Sequence, residues 1–371
     1  MSGGGDGHRR ALADQAAFWA RHPVREAEIG GRRGWYLDPY CDPSCCPPEG
    51  PFPDRAAAVA FAEALAEAAR EEAAEPGLAA RLREGGPIAL IGAAGRSGAA
   101  LARALAARRA GFVPVVRDRA RWDALGLPGE PRIADLRDAA ALRAAVAGAR
   151  RVISTAHARF TPALLAAADP EASFVLMGST RRFSRWPDAH GDGVRAGEAA
   201  FLASGRRGVM LHPTMIYGAE GEDNVRRLAA LIARLPFAPL PGGGRALVQP
   251  IHQSDVTRSL LAALARDWPG AEAIVIAGPA PMPYRDFLRA VARAAGLAAP
   301  PVLPVPALPL RLLAPLTRLI PGLPRIAADE IRRLTEDKAF DTARMRAAFG
   351  IVPIPLEEGL ALTFPAPHTT A

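Results

Sequence analysis

The sequence predicts an α/β protein: a doubly wound parallel sheet of the Rossmann type, with a smaller C-terminal substrate region and an N-terminal α/β extension. Three observations carry this expectation. From residue 86 onward the apolar runs "PIALIG", "FVPVV", "RVIST", "SFVLMG" and "GVMLHP" alternate with alanine- and leucine-rich helical stretches, the pattern of parallel strands buried on both faces. The segment "IALIGAAGRSGAALARAL" sets a strand, a glycine turn and a helix end to end. With 371 residues, 50% of them apolar, the chain is long enough to bury a sizeable core.

Taken in order, residues 1–85 read as an extension. A helical stretch "RRALADQAAFWARH" leads to the short strand "RRGWYLDPY", and after a Cys/Pro/Gly loop "PDRAAAVAFAEALAEAAREEAAE" reads as a helix opened by Pro53 and Asp54. Trp19, Trp35, Tyr36, Tyr40 and Phe52 form a small core there in preference to a docking surface, although a protein partner through residues 1–85 stays open. Residues 86–270 carry the nucleotide-binding domain. Residues 271–371, with parts of 217–250, form the cap; its proline-rich "APPVLPVPALPLRLLAPLTRLIPGLP" is no membrane span but is compatible with a lid or a membrane-touching helix.

Composition narrows the partners. The net charge is +8, and with Lys338 the only lysine, 45 of the 46 basic residues are arginine. They are scattered, so a nucleic-acid partner is disfavoured and an anionic small molecule preferred. No apolar stretch reaches the length of a transmembrane helix and the N-terminus lacks a signal-peptide core, which makes the cytoplasm the expected compartment. Cys41, Cys45 and Cys46 are expected as reduced thiols, with no metal site.

The glycine turn is the first chemical signal. Gly92 turns the chain off the strand, Gly95 lets backbone approach a pyrophosphate and Gly98 permits close helix packing, while Arg96 and Ser97 lie at the helix N-terminus, where anions are favoured. After the next strand, "RDR" at 117–119 offers both ribose chemistries: Asp118 suits NAD, and Arg117 suits the 2′-phosphate of NADP. With Arg96 nearby, NADP(H) is favoured over NAD(H).

Further segments, "IADLRD", "VISTAHA", "LHPTMIYG", "QPIHQSDVTRSLLAAL" and "DTARMRAAFGIVPIPLEEGLAL", resemble the extended and atypical short-chain dehydrogenase/reductase superfamily, in its nucleotide-sugar epimerase/dehydratase-like branch. The resemblance covers about residues 86–365. It implies a nicotinamide cofactor with Asp135 and Leu136 near the adenine, Thr155 and Ala156 lining the cofactor, and Pro213 in the segment after strand six, where His212 replaces the usual arginine. It also implies that Ser179 and Thr180 orient the substrate oxygen.

The superfamily's Tyr-x-x-x-Lys pair is missing, because no tyrosine is followed four residues later by the single lysine. Aligning Glu198 with the glutamate that follows the family's lysine places the vacant tyrosine near His190, in the loop "PDAHGDG", and the vacant lysine near Val194 or Arg195. His190 then becomes the candidate acid/base and Arg195 a ribose or phosphate anchor. Asp188 and Asp192 are candidates to orient the imidazole; Arg181, Arg182 and Arg185 could grip an anionic substrate, with Trp186 as an apolar wall. Tyr217, in family-like context, is the remaining catalytic candidate. His252 and Asp255 read as a helix start, and Asn224 as a substrate-loop residue. The expected function is an NAD(P)(H)-dependent oxidoreductase or epimerase-like enzyme with a nonstandard active site. The alternative is a noncatalytic NAD(P)-binding sensor, regulator or assembly subunit, since the resemblance includes such relatives lacking the pair.

Overall fold

The computed structural model describes residues 3–41, 46–218, 224–314 and 328–364. A seven-stranded sheet organises the chain. Its strands are β1 (Ile88–Ile91), β2 (Phe112–Val116), β3 (Arg132–Ile133), β4 (Arg151–Ser154), β5 (Ser173–Met177), β6 (Gly208–Pro213) and β7 (Ala271–Ile276). They lie in the order β7-β6-β5-β4-β1-β2-β3, with the first strand central and the direction of winding reversing beside it, as in doubly wound nucleotide-binding sheets. Parallel registers pair Ile88 with Phe112, Ile88 with Arg151, Val115 with Arg132 and Arg151 with Ser173. The bonds Phe174 N to Arg207 O (2.9 Å) and Gly178 N to Leu211 O (2.7 Å) continue the parallel pattern into β6. Gly208 N to Gly270 O and Thr214 N to Ile276 O, both 3.0 Å, carry it into β7. Every residue of β1, β4 and β6 is buried, which explains why these strands read as continuous apolar runs.

The N-terminal helix Gly3–Trp19 is followed by an antiparallel three-stranded sheet of Val24–Ile29, Arg32–Leu37 and Glu49–Phe52. Asp54 then caps the helix Arg55–Ala74 by accepting from Ala57 N at 2.7 Å, as a side-chain oxygen at this position should. Trp19, Tyr36 and Phe52 are buried and Tyr40 is exposed, so the aromatics of this segment serve chiefly as core. Cys41 and Cys46 are joined as a disulfide with Cα atoms 6.4 Å apart. This corrects the expectation of reduced thiols, since the two Cα atoms lie within the span a disulfide bridges. Cys45 lies outside the described residues.

By compactness the chain divides into two units. The first comprises Met1–Leu176, Ala200–Met210 and Leu260–Glu272; the second comprises Met177–Ala199, Leu211–Ser259 and Ala273–Ala371. Residues 1–85 thus belong to the same unit as β1. The Glu71 carboxylate meets the buried Arg108, and Arg83 Nη1 donates to Arg108 O at 3.0 Å, so the chain before residue 86 is bonded to the stretch following helix α1 (Arg96–Ala107). Arg151, buried at the start of β4, donates to Leu82 O and Gly86 O at 2.6 and 2.7 Å, satisfying carbonyls at the end of the helix Leu78–Glu84. No helix among the described residues is long and apolar enough to cross a membrane. The proline-rich run after 299 forms a strand, Val302–Val305, and a helix, Ala307–Leu313, and its remainder from 315 lies outside the described residues.

Candidate functional site: a glycine cradle and an apolar cavity

In the first unit, β1 ends at Ile91 and Gly92 turns the chain with φ +79°. Gly92 N donates to Val115 O at 3.0 Å and Gly95 N to Gly92 O at 2.8 Å. The turn is closed against α1: a Cβ on Gly98 would stand 2.0 Å from Gly92 O, and one on Gly92 would stand 2.9 Å from Thr155 Oγ1. Thr155 Oγ1 in turn donates towards Ile91 O and Gly92 O at 3.2 and 3.3 Å. Gly95, at the N-cap, provides no side-chain acceptor, so the positive end of α1, with Arg96 and Ser97 in its first turn, is not capped by a side chain of its own N-cap residue. The cradle therefore fits a pyrophosphate: its glycines occupy places that a Cβ would fill, at a helix N-terminus.

Beyond β2 the three charged residues separate. Asp118 caps the helix Arg119–Asp123 through Ala120 N at 3.0 Å, and Arg119 is held by Glu130, which raises the guanidinium pKa and lowers that of the carboxyl through their mutual hydrogen bond. Arg117 is exposed and makes no hydrogen bond or ion pair among the described residues. Asp135 accepts from Arg137 N at 2.9 Å in an exposed turn, with Leu136 buried behind it, and Ala156 N lies 3.3 Å from Ser154 Oγ.

In the second unit a cavity of about 540 Å³ opens beside the end of β5. Ser179, Thr180 and Arg181 form part of its wall, and Leu228, Ile232, Phe237, Leu240 and Phe287 line its apolar part. Thr180 Oγ1 donates to Pro213 O at 3.1 Å. Ser179 Oγ accepts from Arg181 N at 3.2 Å, leaving its own hydrogen free to donate. Behind Ser179, its backbone N–H donates to His212 Nδ1 at 3.1 Å. His212, 1% exposed, has Nε2 at 3.1 Å from Glu198 Oε2 without hydrogen-bond geometry, and the same carboxylate lies at ion-pair distance from Arg182. An accepting Nδ1 places the imidazole proton on Nε2, facing Glu198. His212, where the resemblance implied an arginine, thus stands in a row with Ser179, Glu198 and Arg182, of which His212 and Glu198 are buried.

The segment aligned with the missing pair takes another form. Asp188 accepts from Gly191 N and from Arg181 Nη2, both at 2.7 Å, and helix α2 (Ala189–Ala203) starts immediately after it. His190 consequently occupies the first turn of a helix instead of a loop, and does not line the cavity. Burial alone would raise the Asp188 carboxyl, but the Gly191 N–H and the Arg181 charge outweigh it and hold the pKa below the usual aspartate value. Asp192 pairs with Arg195, whose Nη1 also donates to Arg182 O at 2.8 Å. Both acids are therefore committed to partners other than an imidazole.

Tyr217 is 1% exposed in the core of the second unit, edge-on to His252 at 5.2 Å. Gly359 packs so closely that a Cβ there would lie 2.2 Å from the phenol oxygen. Burial, with Asp255, Glu357 and Glu358 adding, pushes this phenol well above its ordinary pKa. Tyr217 is absent from the cavity wall, so of the four catalytic candidates the structure brings Ser179 and Thr180 together there and leaves His190 and Tyr217 outside it.

Other candidates divide similarly. Arg181 and Asn224 line the cavity, while Arg182 serves Glu198 and Arg185 donates to Thr335 O at 2.9 Å. Trp186 is stacked beneath Arg332. Asp255 holds Arg258 and Ile354 N, each at 3.0 Å, in keeping with a structural role. Residues 219–223, the rest of the expected substrate loop, lie outside the described residues. Sequence reasoning passed over Lys338, which lines the same cavity as Ser179. Its Nζ donates to Arg333 O at 2.5 Å, and burial pulls its pKa below the ordinary lysine value. The only signal was its uniqueness in the chain.

No family model and no curated protein matches the chain. Solved structures do. A nucleoside-diphosphate-sugar epimerase from Pseudomonas aeruginosa is similar at 21% identity and a TM-score of 0.55, covering 75% of this chain and 95% of that one. An NADPH-dependent quinone oxidoreductase from Escherichia coli, solved with NADPH, is similar at 17% and 0.58, covering 74% and 98%. A UDP-glucuronic acid 4-epimerase from Bacillus cereus, solved with its nucleotide sugar and NAD, follows at 16% and 0.57, covering 75% and 98%. The chain has the Rossmann-type α/β fold of these epimerase/dehydratase-like and quinone oxidoreductase proteins, the fold that the resemblance to extended short-chain dehydrogenases implied.

Proposed function

We propose that the protein is an NAD(P)(H)-dependent oxidoreductase or epimerase-like enzyme that uses NADP(H) in preference to NAD(H) and takes its substrate in the cavity of the second unit. The observation that carries the reading is the interlocked turn of Gly92, Gly98 and Thr155 at the N-terminus of α1, which keeps side chains away from the place a pyrophosphate needs. Arg117 supports the coenzyme preference: of the three charged residues after β2 it alone is uncommitted, and a guanidinium there suits a 2′-phosphate. When bound, a nicotinamide coenzyme supplies or accepts the hydride.

The chain's own residues take the remaining tasks. Ser179, whose hydrogen is free, donates to the reacting oxygen, and Thr180, tied to Pro213 O, braces the turn that presents it. His212 holds the Ser179 backbone from behind. Calorimetric titration with NADPH and NADH tests the reading: NADPH binds more tightly, and the absence of heat with either coenzyme overturns it. The second reading, a noncatalytic nucleotide-binding protein, is favoured by the missing Tyr-x-x-x-Lys pair and by the placement of His190 and Tyr217 outside the cavity wall. Coenzyme that co-purifies with the protein, with no turnover of any carbonyl compound, would favour it.

A further inference from the structure

The sole lysine is what the functional reading leaves unused. Lys338 reaches the cavity because the chain around it is bonded to distant segments: its N–H donates to Leu247 O at 2.9 Å, and Phe340 N donates to Gln249 Oε1 at 2.8 Å. Its Nζ has a backbone carbonyl, Arg333 O, as partner, and no carboxylate lies within ion-pair distance among the described residues. The two neighbouring acids are engaged elsewhere. Glu336 accepts from Ser184 Oγ and Arg185 N at 2.9 and 2.7 Å, and Asp337 accepts from Leu247 N at 2.8 Å. Burial, with the Arg333 charge adding, lowers the Lys338 pKa from the ordinary lysine value although the Glu336 and Asp337 charges oppose it, so the neutral form is more accessible than for an exposed lysine. On losing a proton the amine can still donate one hydrogen to Arg333 O and has a lone pair, which is what a nucleophile requires.

The wall of the same cavity gives the chemistry of what it admits. Leu228, Leu231, Ile232, Phe237, Leu240 and Phe287 present hydrocarbon over much of its surface, and a volume of about 540 Å³ accommodates an alkyl or aryl chain. We propose that this cavity binds apolar aldehydes and ketones, with the carbonyl end at Lys338, and that the Lys338 amine condenses with that carbonyl to form an imine. The nitrogen lone pair adds to the carbonyl carbon, a proton passes from nitrogen to oxygen, and the carbinolamine then loses water; no oxidant or reductant is needed. The inference rests on the reading of this cavity as the substrate site.

Reductive trapping tests it on the full-length protein. Butanal, hexanal and octanal are incubated in turn with cyanoborohydride, and N-alkylation is located by peptide mass mapping. With a single lysine, the only competing amine is the N-terminus, which serves as an internal reference. Each buried methylene raises occupancy about fourfold, so Lys338 labelling rises about fifteenfold for every two carbons while the N-terminal labelling does not. Leu228→Glu, which sets a carboxylate in the apolar wall, flattens that dependence. Lys338 left unlabelled, or labelled no faster by octanal than by butanal in the wild-type protein, overturns the proposal. NADPH titration of the same preparation separates the two inferences: binding without labelling removes this one alone, and labelling without binding removes the coenzyme reading alone.

Discussion

Replacing Gly95 and Gly98 separately by alanine distinguishes a coenzyme cradle from an ordinary tight turn. At Gly98 the new methyl would meet Gly92 O at 2.0 Å, Gly92 C at 2.8 Å and Thr155 Oγ1 at 2.9 Å. Two of these are backbone atoms of the turn, so α1 must move away from β1. Overpacking of this kind costs about 2–3 kcal/mol, read as a lower urea midpoint at unchanged slope. At Gly95 the only close neighbour is Gly92 O at 3.1 Å, and φ −80° with ψ 167° suits alanine. Stability there changes by less than about 1 kcal/mol, because reduced freedom of the unfolded chain offsets the contact. Coenzyme binding responds differently. A methyl at Gly95 stands where backbone approaches the pyrophosphate, and losing one charge-assisted hydrogen bond of about 1.5–3 kcal/mol weakens NADPH at least about tenfold. The assay is NADPH calorimetry beside urea unfolding for each variant. A Gly95→Ala protein that binds NADPH as tightly as the wild type, or a Gly98→Ala protein with an unchanged midpoint, refutes the reasoning.

Three further outcomes follow from the geometry. Arg117→Ser weakens NADPH about tenfold and leaves NADH unchanged, since the exposed guanidinium would face only the additional phosphate; competitive titration of the two coenzymes reads the difference. His212→Leu leaves the Ser179 N–H without its acceptor, costing about 1–3 kcal/mol in urea unfolding, whereas His212→Gln recovers part of the loss. Asp188 has a folded-state pKa held below its unfolded value, so its contribution is present above about pH 4 and disappears as pH falls through the lowered folded value. The stability gap between wild type and Asp188→Asn accordingly narrows on acidification, and a gap that widens would contradict the Arg181 and Gly191 contacts as its source.

The strands β1, β2, β4, β5 and β6 were legible because each is a short, mainly apolar run, fully buried in β1, β4 and β6 and mostly so in β2 and β5, and the glycine turn because its strand, bend and helix are contiguous in the chain. The N-terminal helices and the Asp54 cap were legible for the same reason, being matters of local propensity and side chains within a turn of their partners. The helical start at Ala189 is equally local, set by Asp188 accepting from Gly191 N, and was misread as a loop because three glycines in "GDGVRAG" argue against helix by propensity.

The cavity belongs to the other class. Tyr217 stands in a family-like motif, but its burial was decided by Gly359, more than a hundred residues later. Lys338 belongs to no local pattern and reaches the wall that contains Ser179 only through bonds to Leu247 and Gln249 around it. Amino-acid order by itself determined the sheet, the cradle and the absence of the tyrosine–lysine pair, because hydrophobic periodicity and turn chemistry act over a few residues. Tertiary structure alone decided which side chains face the cavity, because a wall drawn from segments far apart in the chain exists only once long-range packing has closed it.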